Sequence, residues 1–215
     1  IYKDGDIYTQ RFERGNIKTN LEIVGKTDKT GTLARFKPDA EIFKETTEFD
    51  FEILKTRLRE QAFLNAGIHI QISDERDPDN IICENFCYEG GISSFVEYLN
   101  KKKAVELVHP DIIHFSTVAD DDQATAEVAM QYNDSYNELI LSFANNIHTT
   151  DGGTHEEGFK RSLTRVMNDY ARKYNILKDG DKNLSGEDVR EGLTAIISVK
   201  LKEAQFEGQT KAKLG

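Results

Sequence analysis

Apolar and polar residues alternate along the opening stretch of the chain, which predicts an antiparallel sheet. The alternation covers residues 7–12, 21–24 and 32–36. A period of two places successive side chains on opposite faces of a strand. Asp4-Gly5 is a two-residue hairpin signal, because both positions of that turn favour a positive φ. We expect three strands in this region.

A helical period replaces the alternation after residue 47. Thr47-Glu48-Phe49-Asp50 predicts a capping box that opens a helix, and Gly67 predicts its end. The apolar positions of this helix lie on one face: Phe51, Leu54, Leu58 and Ala62. Alternating isoleucines at 68–72 then return the chain to a strand.

The polar loop at 74–80 and the pair Gly90-Gly91 predict a domain boundary, with one domain at 1–89 and a second at 90–215. The second domain begins with a short helix at 92–99. Three strands follow, and we expect them at 112–116, 124–132 and 138–144. A long helix begins near Thr154, a short helix follows Ser185, and a strand covers 194–201. The predicted fold class is α+β, with two layers.

Two capping boxes are expected in the second domain, at Thr154 with Glu157 and at Ser185 with Asp188. The apolar stripe of the long helix is expected to be buried and consists of Phe159, Leu163, Val166, Met167, Tyr170 and Tyr174. The acidic triplet at 120–122 is interpreted as a solvated turn, because its neighbours lack the spaced oxygen ligands of a calcium loop.

The charge of the chain argues against a surface that binds nucleic acid throughout. The net charge is −10, with 38 acidic and 28 basic residues among 215, whereas attraction to phosphate needs clustered Lys and Arg. Cys83 and Cys87 lack the CxxC spacing and the His partners of a zinc site, so no metal site is predicted. No apolar run approaches the roughly 20 residues of a membrane span, and we expect a cytoplasmic protein.

The closing segment contains the sharpest candidate for chemistry. If it is extended, the side chains of Gln209 and Lys211 point to the same side. An amide that donates a hydrogen bond and an ammonium that neutralises charge together suit a phosphate. A solvated lysine on a surface loop is the alternative, and spacing alone leaves both open.

Three other features are weaker candidates. Thr30-Gly31-Thr32 allows the backbone to approach a ligand closely, but alone it is a common turn. Asp151-Gly152-Gly153-Thr154 resembles an anion-binding nest, but a tight turn into a helix is the simpler interpretation. The long helix also carries basic residues, either a solvated face or a wall that contacts DNA phosphates. These basic residues are Lys160, Arg161, Arg165 and Arg172.

Several segments resemble, in unbroken order, the B subunits of bacterial type IIA topoisomerases, the gyrase and topoisomerase IV type. Lys29-Thr30-Gly31-Thr32 with Phe36-Lys37-Pro38-Asp39 resembles the last nucleotide motif of the gyrase-type (GHKL) ATPase fold. The segments at 57–65 and 88–91 are similar to the next helix and to the junction into the transducer domain. Asp151 to Glu156, the stretch at 184–193 and Gln209-Thr210-Lys211 complete the series.

This resemblance implies a fold and a function. Residues 1–89 would be the C-terminal part of the ATP-binding domain, and residues 90–215 the transducer, with a left-handed βαβ crossover. ATP and Mg²⁺ would be the cofactors of the full-length subunit. The implied partners are double-stranded DNA, the gyrase A-type subunit and a second B subunit on ATP binding. Gln209 and Lys211 would contact the γ-phosphate, Lys211 would act in hydrolysis, and Thr32 would lie by the adenine.

The resemblance also implies that this chain is a fragment, inactive alone, of an ATP-hydrolysing DNA topoisomerase. The family's general-base Glu, its Mg²⁺-binding Asn and its glycine-rich lid are expected before Ile1. Glu207-Gly208 favours gyrase over topoisomerase IV. Two alternatives stay open at this point: an acidic scaffold of the same fold without catalysis, and a mismatch-repair or chaperone member of the ATPase superfamily.

Overall fold

The computed structural model describes residues 1–119 and 123–215, which form two units at 1–50 and 51–215. The acidic triplet at 120–122, predicted to be a solvated turn, lies outside the described residues. The strands of the first unit are β1 (Tyr2–Lys3), β2 (Asp6–Thr9), β3 (Phe12–Glu13), β4 (Asn16–Ile17) and β5 (Glu22–Lys26).

The first unit contains a small antiparallel sheet in the order β1-β2-β5 and a separate hairpin of β3 and β4. Asp4 and Gly5 have φ values of 52° and 84° and connect β1 to β2, which confirms the predicted hairpin turn. Arg14 and Gly15 do the same between β3 and β4, with φ values of 52° and 77°. The pattern of alternation did not reveal this second turn.

The second unit contains the remaining helices and strands. They are α1 (Phe51–Leu64), β6 (Ile70–Asp74), β7 (Ile82–Phe86), α2 (Gly91–Lys103), β8 (Ile113–Val118), β9 (Ala124–Tyr132), β10 (Leu139–Ala144), β11 (Ile147–His148), α3 (Thr154–Lys173), α4 (Gly186–Arg190), β12 (Leu193–Leu201), β13 (Phe206–Glu207) and β14 (Lys213–Leu214). The α+β fold class is confirmed.

A five-stranded sheet in the order β11-β10-β12-β9-β8 is the centre of this unit. Strand β12 runs parallel to β10 and antiparallel to β9, and seven consecutive residues, 193–199, are buried. A central strand that is covered on both faces is expected to be such a continuous apolar run. Helices α3 and α4 connect β10 to β12, which is the βαβ crossover of the expected fold.

Helices cover both faces of the sheet, because successive side chains of a strand point to opposite sides. On one face, α1 and α2 pack against Ala129, Phe143 and Ile196. On the other face, α3 and α4 pack against Met130 and Ala195. The second half was predicted to have two layers, whereas here the sheet lies between helices.

Helix α1 shares its core with α2, so residues on both sides of the predicted domain boundary pack together. The ring of Phe63 stacks on Phe95 and on Tyr88, with centroid distances of 4.6 and 3.7 Å. Phe63 is 1% exposed, and burial of such a side chain contributes about 1.5–3 kcal/mol. The boundary between residues 89 and 90 falls inside the second unit and stays a prediction.

Two local predictions are wrong. Residues 32–36 form no strand; instead, Gly31 pairs with Tyr2 through two backbone hydrogen bonds of 2.9 and 3.0 Å. The predicted burial of Val166, Tyr170 and Tyr174 is also wrong, because each is more than half exposed. Val166 and Tyr170 each follow a packed residue, Leu163 and Met167, by three positions, so each lies about 60° around the helix axis from that residue.

Candidate functional site

Gln209 and Lys211 lie in the exposed loop of the hairpin that β13 and β14 form. The loop turns rather than extends: Gly208 and Lys211 have φ values of 81° and 55°, and the backbone N–H of Lys211 donates to the carbonyl of Gly208. The prediction that an extended backbone aligns the two side chains is therefore wrong. Both side chains nevertheless lie in the same short loop, open to solvent.

The hairpin is attached to the core by its closing strand. Phe206 pairs with Leu214, and Glu207 pairs with Lys213, whose Nζ lies 3.2 Å from the Glu207 carboxylate. Leu214 is 4% exposed and packs against Ala144. The Nζ of Lys211 lies 5.7 Å from the centroid of the Phe206 ring. A cation at this distance is attracted by the face of the ring.

The turn before α3 holds the other edge of β14. The N–H of Asp151 donates to the carbonyl of Ala212 at 2.9 Å, and the N–H of Leu214 donates to the carbonyl of Gly152 at 3.1 Å. The Thr154 hydroxyl donates to the carbonyl of Gly215 at 2.9 Å. We call residues 151–154 the hairpin-binding turn. It occupies the position that sequence reasoning considered for an anion.

Gly153 is essential to this contact. Its φ is 139°, and a Cβ placed there would lie 2.3 Å from the carbonyl oxygen of Leu214. Any side chain would therefore displace β14. The predicted capping box at Thr154 and Glu157 is wrong: Gly153 is the N-cap, and no side chain caps the helix there. The Thr154 hydroxyl binds the closing segment instead. The second predicted box is confirmed, with reciprocal hydrogen bonds between Ser185 and Asp188.

Thr32 belongs to the first unit, and its side chain is exposed. Its neighbour Gly31, at a φ of 153°, pairs with Tyr2. The Thr30-Gly31-Thr32 segment therefore lies beside β1.

The basic residues of α3 are in different environments. Lys160 is held by Glu156 at 2.8 Å and Glu138 at 3.4 Å. Burial acts to lower the pKa of Lys160, but these two carboxylates more than offset it, and the pKa is raised. Arg161 pairs with Glu157 at 3.1 Å on the surface. Lys160 is thus a structural ion-pair partner as well as a candidate for contact with DNA.

Arg165 and Arg172 also lie in different environments. The guanidinium of Arg172 donates to the carbonyls of Lys178 and Asp181 and to Oδ1 of Asn183, so it holds the loop after α3. Arg165 lines an open groove between α3 and α4 and has no ion-pair partner within residues 1–119 and 123–215. Of the four predicted residues, Arg165 is therefore the most available to a phosphate.

Sequence reasoning missed a buried polar cluster behind the hairpin-binding turn. Ser142 and Thr149 are 1% and 2% exposed, and they lie close to His155 and Glu156. Nothing in the spacing of these residues along the sequence indicated that they meet, because the contacts depend on how β11 turns back onto β10.

The described part of the chain holds neither a metal-binding cluster nor a membrane-spanning helix. Among those residues, no three His, Cys, Asp or Glu side chains are grouped so that they could hold a metal ion. The helices described there are also too short or too polar to cross a membrane.

Residues 91–215 match the family model described as DNA gyrase B. The whole chain is 55% identical over 215 residues to the DNA gyrase B protein of Bacillus mycoides, of which it covers 52%. It is 56% identical to the corresponding gyrase B protein of Clostridium acetobutylicum, of which it covers 33%. The chain therefore spans between a third and about half of the length of these curated relatives.

Solved structures of gyrase B and topoisomerase IV domains are similar to this chain. The 43K ATPase domain of Thermus thermophilus gyrase B, in complex with an aminocoumarin, aligns with a TM-score of 0.78 and 33% identity, over 99% of this chain and 56% of that one. The topoisomerase IV ATP-binding domain of Francisella tularensis aligns with a TM-score of 0.69 at 24% identity, over 99% of this chain and 56% of that one, which shows a shared fold.

Proposed function

Because the chain belongs to the DNA gyrase B family, we propose that it is the part of an ATP-dependent type IIA topoisomerase subunit that couples ATP hydrolysis to DNA gate closure. Family membership leaves mismatch-repair and chaperone ATPases without support. In this proposal, residues 1–89 belong to the ATP-binding domain and residues 90–215 form the transducer. The start of the family match at residue 91 supports that division.

The observation that carries the proposal is the loop with Gln209 and Lys211. An amide donor and an ammonium stand on an exposed hairpin whose closing strand is bonded to the first turn of α3. A polyphosphate is the ligand that this donor set fits, because its charge is met by a cation and its oxygens by N–H groups. A ligand held by the loop would therefore be linked directly to a helix of the unit's core.

We propose that Gln209 and Lys211 bind the γ-phosphate of ATP and that Thr32 lies near the adenine. ATP, bound with Mg²⁺, supplies the phosphoanhydride bond whose hydrolysis drives the cycle. The ammonium of Lys211 stabilises negative charge as it develops on the γ-phosphate, and the Gln209 amide orients the same group. A positioned cation is effective because little reorganisation is needed at the moment of reaction.

The remaining parts of the proposal concern partners. Double-stranded DNA, the gyrase A-type subunit and a second B subunit are the proposed partners, and the compartment is cytoplasmic. On this chain, α3 supplies the candidate DNA contact. The candidates are Lys160, Arg161, Arg165 and Arg172. Arg165 supports it best, since its charge is not neutralised by an ion pair within the described residues.

The test of the nucleotide role uses the full-length subunit with Lys211→Ala. We expect ATP binding to persist while the hydrolysis rate falls about a hundredfold, the usual effect of losing one charge-stabilising donor. Lys213→Ala is the matched control, because Lys213 is on the same hairpin but pairs with Glu207. Its hydrolysis rate should stay within about twofold of wild type.

Unchanged hydrolysis in Lys211→Ala would rule out the coupling role. An acidic scaffold without catalysis is the second candidate function, and a full-length wild-type subunit that hydrolyses no ATP would favour it.

The DNA contact is tested by the salt dependence of DNA binding. Each phosphate contact adds about 0.9 to the slope of log affinity against log salt concentration. Arg165→Ala should lower the slope by about that amount. Arg161→Ala serves for comparison, because Arg161 already pairs with Glu157 and should change the slope less. An equal slope for wild type and Arg165→Ala would remove Arg165 from the DNA surface.

A further inference from the structure

The hairpin-binding turn is fixed from behind by a row of side-chain hydrogen bonds. The N–H of Gly152 donates to the carbonyl of Thr149 at 2.9 Å. The hydroxyl oxygen of Thr149 lies 3.0 Å from Nε2 of His155 and 2.8 Å from Oγ of Ser142. The Ser142 hydroxyl lies 2.7 Å from the Glu156 carboxylate. The row thus connects β10, the residue that follows β11 and the first turn of α3.

The direction of each hydrogen bond in this row follows from the number of protons available. Ser142 has one hydroxyl proton, and the Glu156 carboxylate accepts it best because that bond is charge-assisted. The Thr149 hydroxyl then donates its single hydrogen bond to Ser142, whose carbonyl oxygen lies 2.8 Å away. Thr149 has no proton left for His155. The imidazole must therefore carry its proton on Nε2 and donate it to Thr149.

The other ring nitrogen agrees with this tautomer. Nδ1 of His155 is buried and has no hydrogen-bond partner among the described atoms. A proton on Nδ1 would be an unsatisfied buried donor, which is costly. Burial lowers the pKa of His155, although the neighbouring Glu156 acts in the opposite direction. The ring is thus neutral at pH 7, with one fixed tautomer and one fixed donor.

We propose that His155 is a positioning residue for Lys211. Its Nε2–H fixes Thr149, Thr149 fixes the hairpin-binding turn, and the turn holds the closing strand of the loop that carries Lys211. This inference rests on the proposed role of Lys211 in ATP hydrolysis. It assigns to His155 no contact with nucleotide.

The geometry of the turn explains why loss of the His155 N–H donor would displace the loop that carries Lys211. Gly152 and Gly153 both have positive φ, at 69° and 139°, so the turn has little helical or extended backbone preference of its own. Its conformation depends on the bonds at its two ends. If Thr149 shifts, the carbonyl of Gly152 moves and its bond to Leu214 weakens. Displacement of a charged group by about 1 Å can lower a rate about a hundredfold.

The test compares His155→Leu with His155→Gln in the full-length subunit. Leucine removes the donor, whereas the glutamine amide nitrogen can take the place of Nε2. We expect His155→Leu to raise the hydrogen-exchange rates of the Asp151 and Leu214 amides at least about tenfold, since both amides bond across the turn. We expect it to lower kcat for ATP about tenfold to a hundredfold, with nucleotide affinity unchanged. His155→Gln should restore both.

His114→Leu is the matched control. His114 lies on β8, and Nε2 of its side chain lies 2.9 Å from the carboxylate of the surface residue Glu127. It should change neither the exchange rates nor kcat. If His155→Leu does not fold, Thr149→Val and Thr149→Ser replace the pair, because valine removes the hydroxyl and serine keeps it. The serine variant should match wild type, and the valine variant should match the result expected for His155→Leu.

Unchanged exchange at Asp151 and Leu214 in His155→Leu overturns the inference, even if Lys211→Ala abolishes hydrolysis. Equal losses in His155→Leu and His155→Gln also overturn it, because the effect would then be one of packing alone. Raised exchange in His155→Leu together with normal hydrolysis in Lys211→Ala would instead refute the proposed function, while the link from His155 to the hairpin would stand.

Discussion

The two units of this chain bury their side chains very differently. None of residues 1–50, all of which are described, is buried, and large apolar side chains such as Phe12 and Ile23 are more than 60% exposed. In residues 51–215, a continuous core joins α1 and α2 to the sheet, and Phe143 and Ile196 are fully buried. The first unit depends on short strand pairs, whereas the second has a core of its own.

This difference indicates where the chain is rigid. A side chain inside a packed core can hold its neighbours in one arrangement, because interiors are close-packed and movement creates voids. The hairpin with Lys211 is attached to such a core through Leu214 and the hairpin-binding turn. The exposed apolar residues of the first unit are instead suited to further packing. In the proposed function, that packing comes from the rest of the ATP-binding domain.

The strongest way to test the comparison is to truncate one phenylalanine in each unit. Phe143→Ala removes a ring at 0% exposure and should lower the free energy of unfolding of the second unit by about 3–5 kcal/mol. Phe12→Ala removes a ring at 62% exposure and should cost about 0.5 kcal/mol or less. Hydrogen exchange of amides in β12 and β2 under mild denaturant measures each unit separately. Equal losses would contradict the comparison.

A smaller effect is expected from the buried polar groups. Gln131 is 2% exposed, accepts from Asn100 at 2.9 Å and donates to the carbonyls of His109 and Pro110. Gln131→Leu leaves the Asn100 amide without this acceptor, at a cost of about 1–3 kcal/mol.

The counterpart in the first unit is Gln10→Leu. Gln10 makes one long bond of 3.4 Å to the carbonyl of Thr19, and its loss should cost about 0.5 kcal/mol or less. The same exchange measurement compares the two variants. A larger loss of unfolding free energy for Gln10→Leu than for Gln131→Leu would contradict the comparison of the two units.

The smallest expected effect is the response to mild acid. Burial lowers the pKa of His148 and of His155 below the ordinary value of 6.5. The part of the free energy of unfolding that depends on these two neutral histidines is therefore fully present above pH 6.5. It is lost as the pH falls, because the histidines of the unfolded chain take up protons first. The loss is at most about 1.4 kcal/mol per pH unit for each histidine.

Residues 1–50 contain no histidine. Hydrogen bonding by the Glu41 backbone and by Arg14 lowers the pKa of Asp39 below 3.8, so its stabilisation is lost only below about that pH. Between pH 7 and pH 5 we expect only the second unit to weaken. Exchange rates measured at both pH values, corrected for intrinsic exchange, check this. His148→Gln combined with His155→Gln should remove most of the change in exchange rates between pH 7 and pH 5. Weakening of the first unit in the same pH range would contradict the prediction.

Much of the second unit could be predicted from the sequence because its signals are local. Helices α1, α2 and α3 and strands β9, β10 and β12 lie close to the segments expected from hydrophobic periodicity. The reciprocal bonds of Ser185 and Asp188 are an interaction within one helical turn, and they form as expected. The motifs that resemble the family, and their order, could likewise be identified from the sequence alone.

The failures involve non-local partners. Whether residues 32–36 pair as a strand depends on which strand edge is free, and at β1 the pairing is the single bridge between Gly31 and Tyr2 among the described residues. Thr154 has the residue type and spacing of a helix cap, but its hydroxyl donates a hydrogen bond to the carbonyl of Gly215, far along the chain. Periodicity placed Val166 and Tyr170 on the apolar side of α3, but burial depends on what packs against them.

The sequence by itself determined the fold class, most helices and strands of the second unit, the family, and Gln209 and Lys211 as the candidate site. Only the tertiary structure decided that the loop turns, that residues 151–154 hold it, and that His155 lies behind that turn. The physical reason is range. Periodicity, caps and turns act over a few residues, whereas His155 and Lys211 are connected through strands and a turn that meet only when the sheet and its helices have packed.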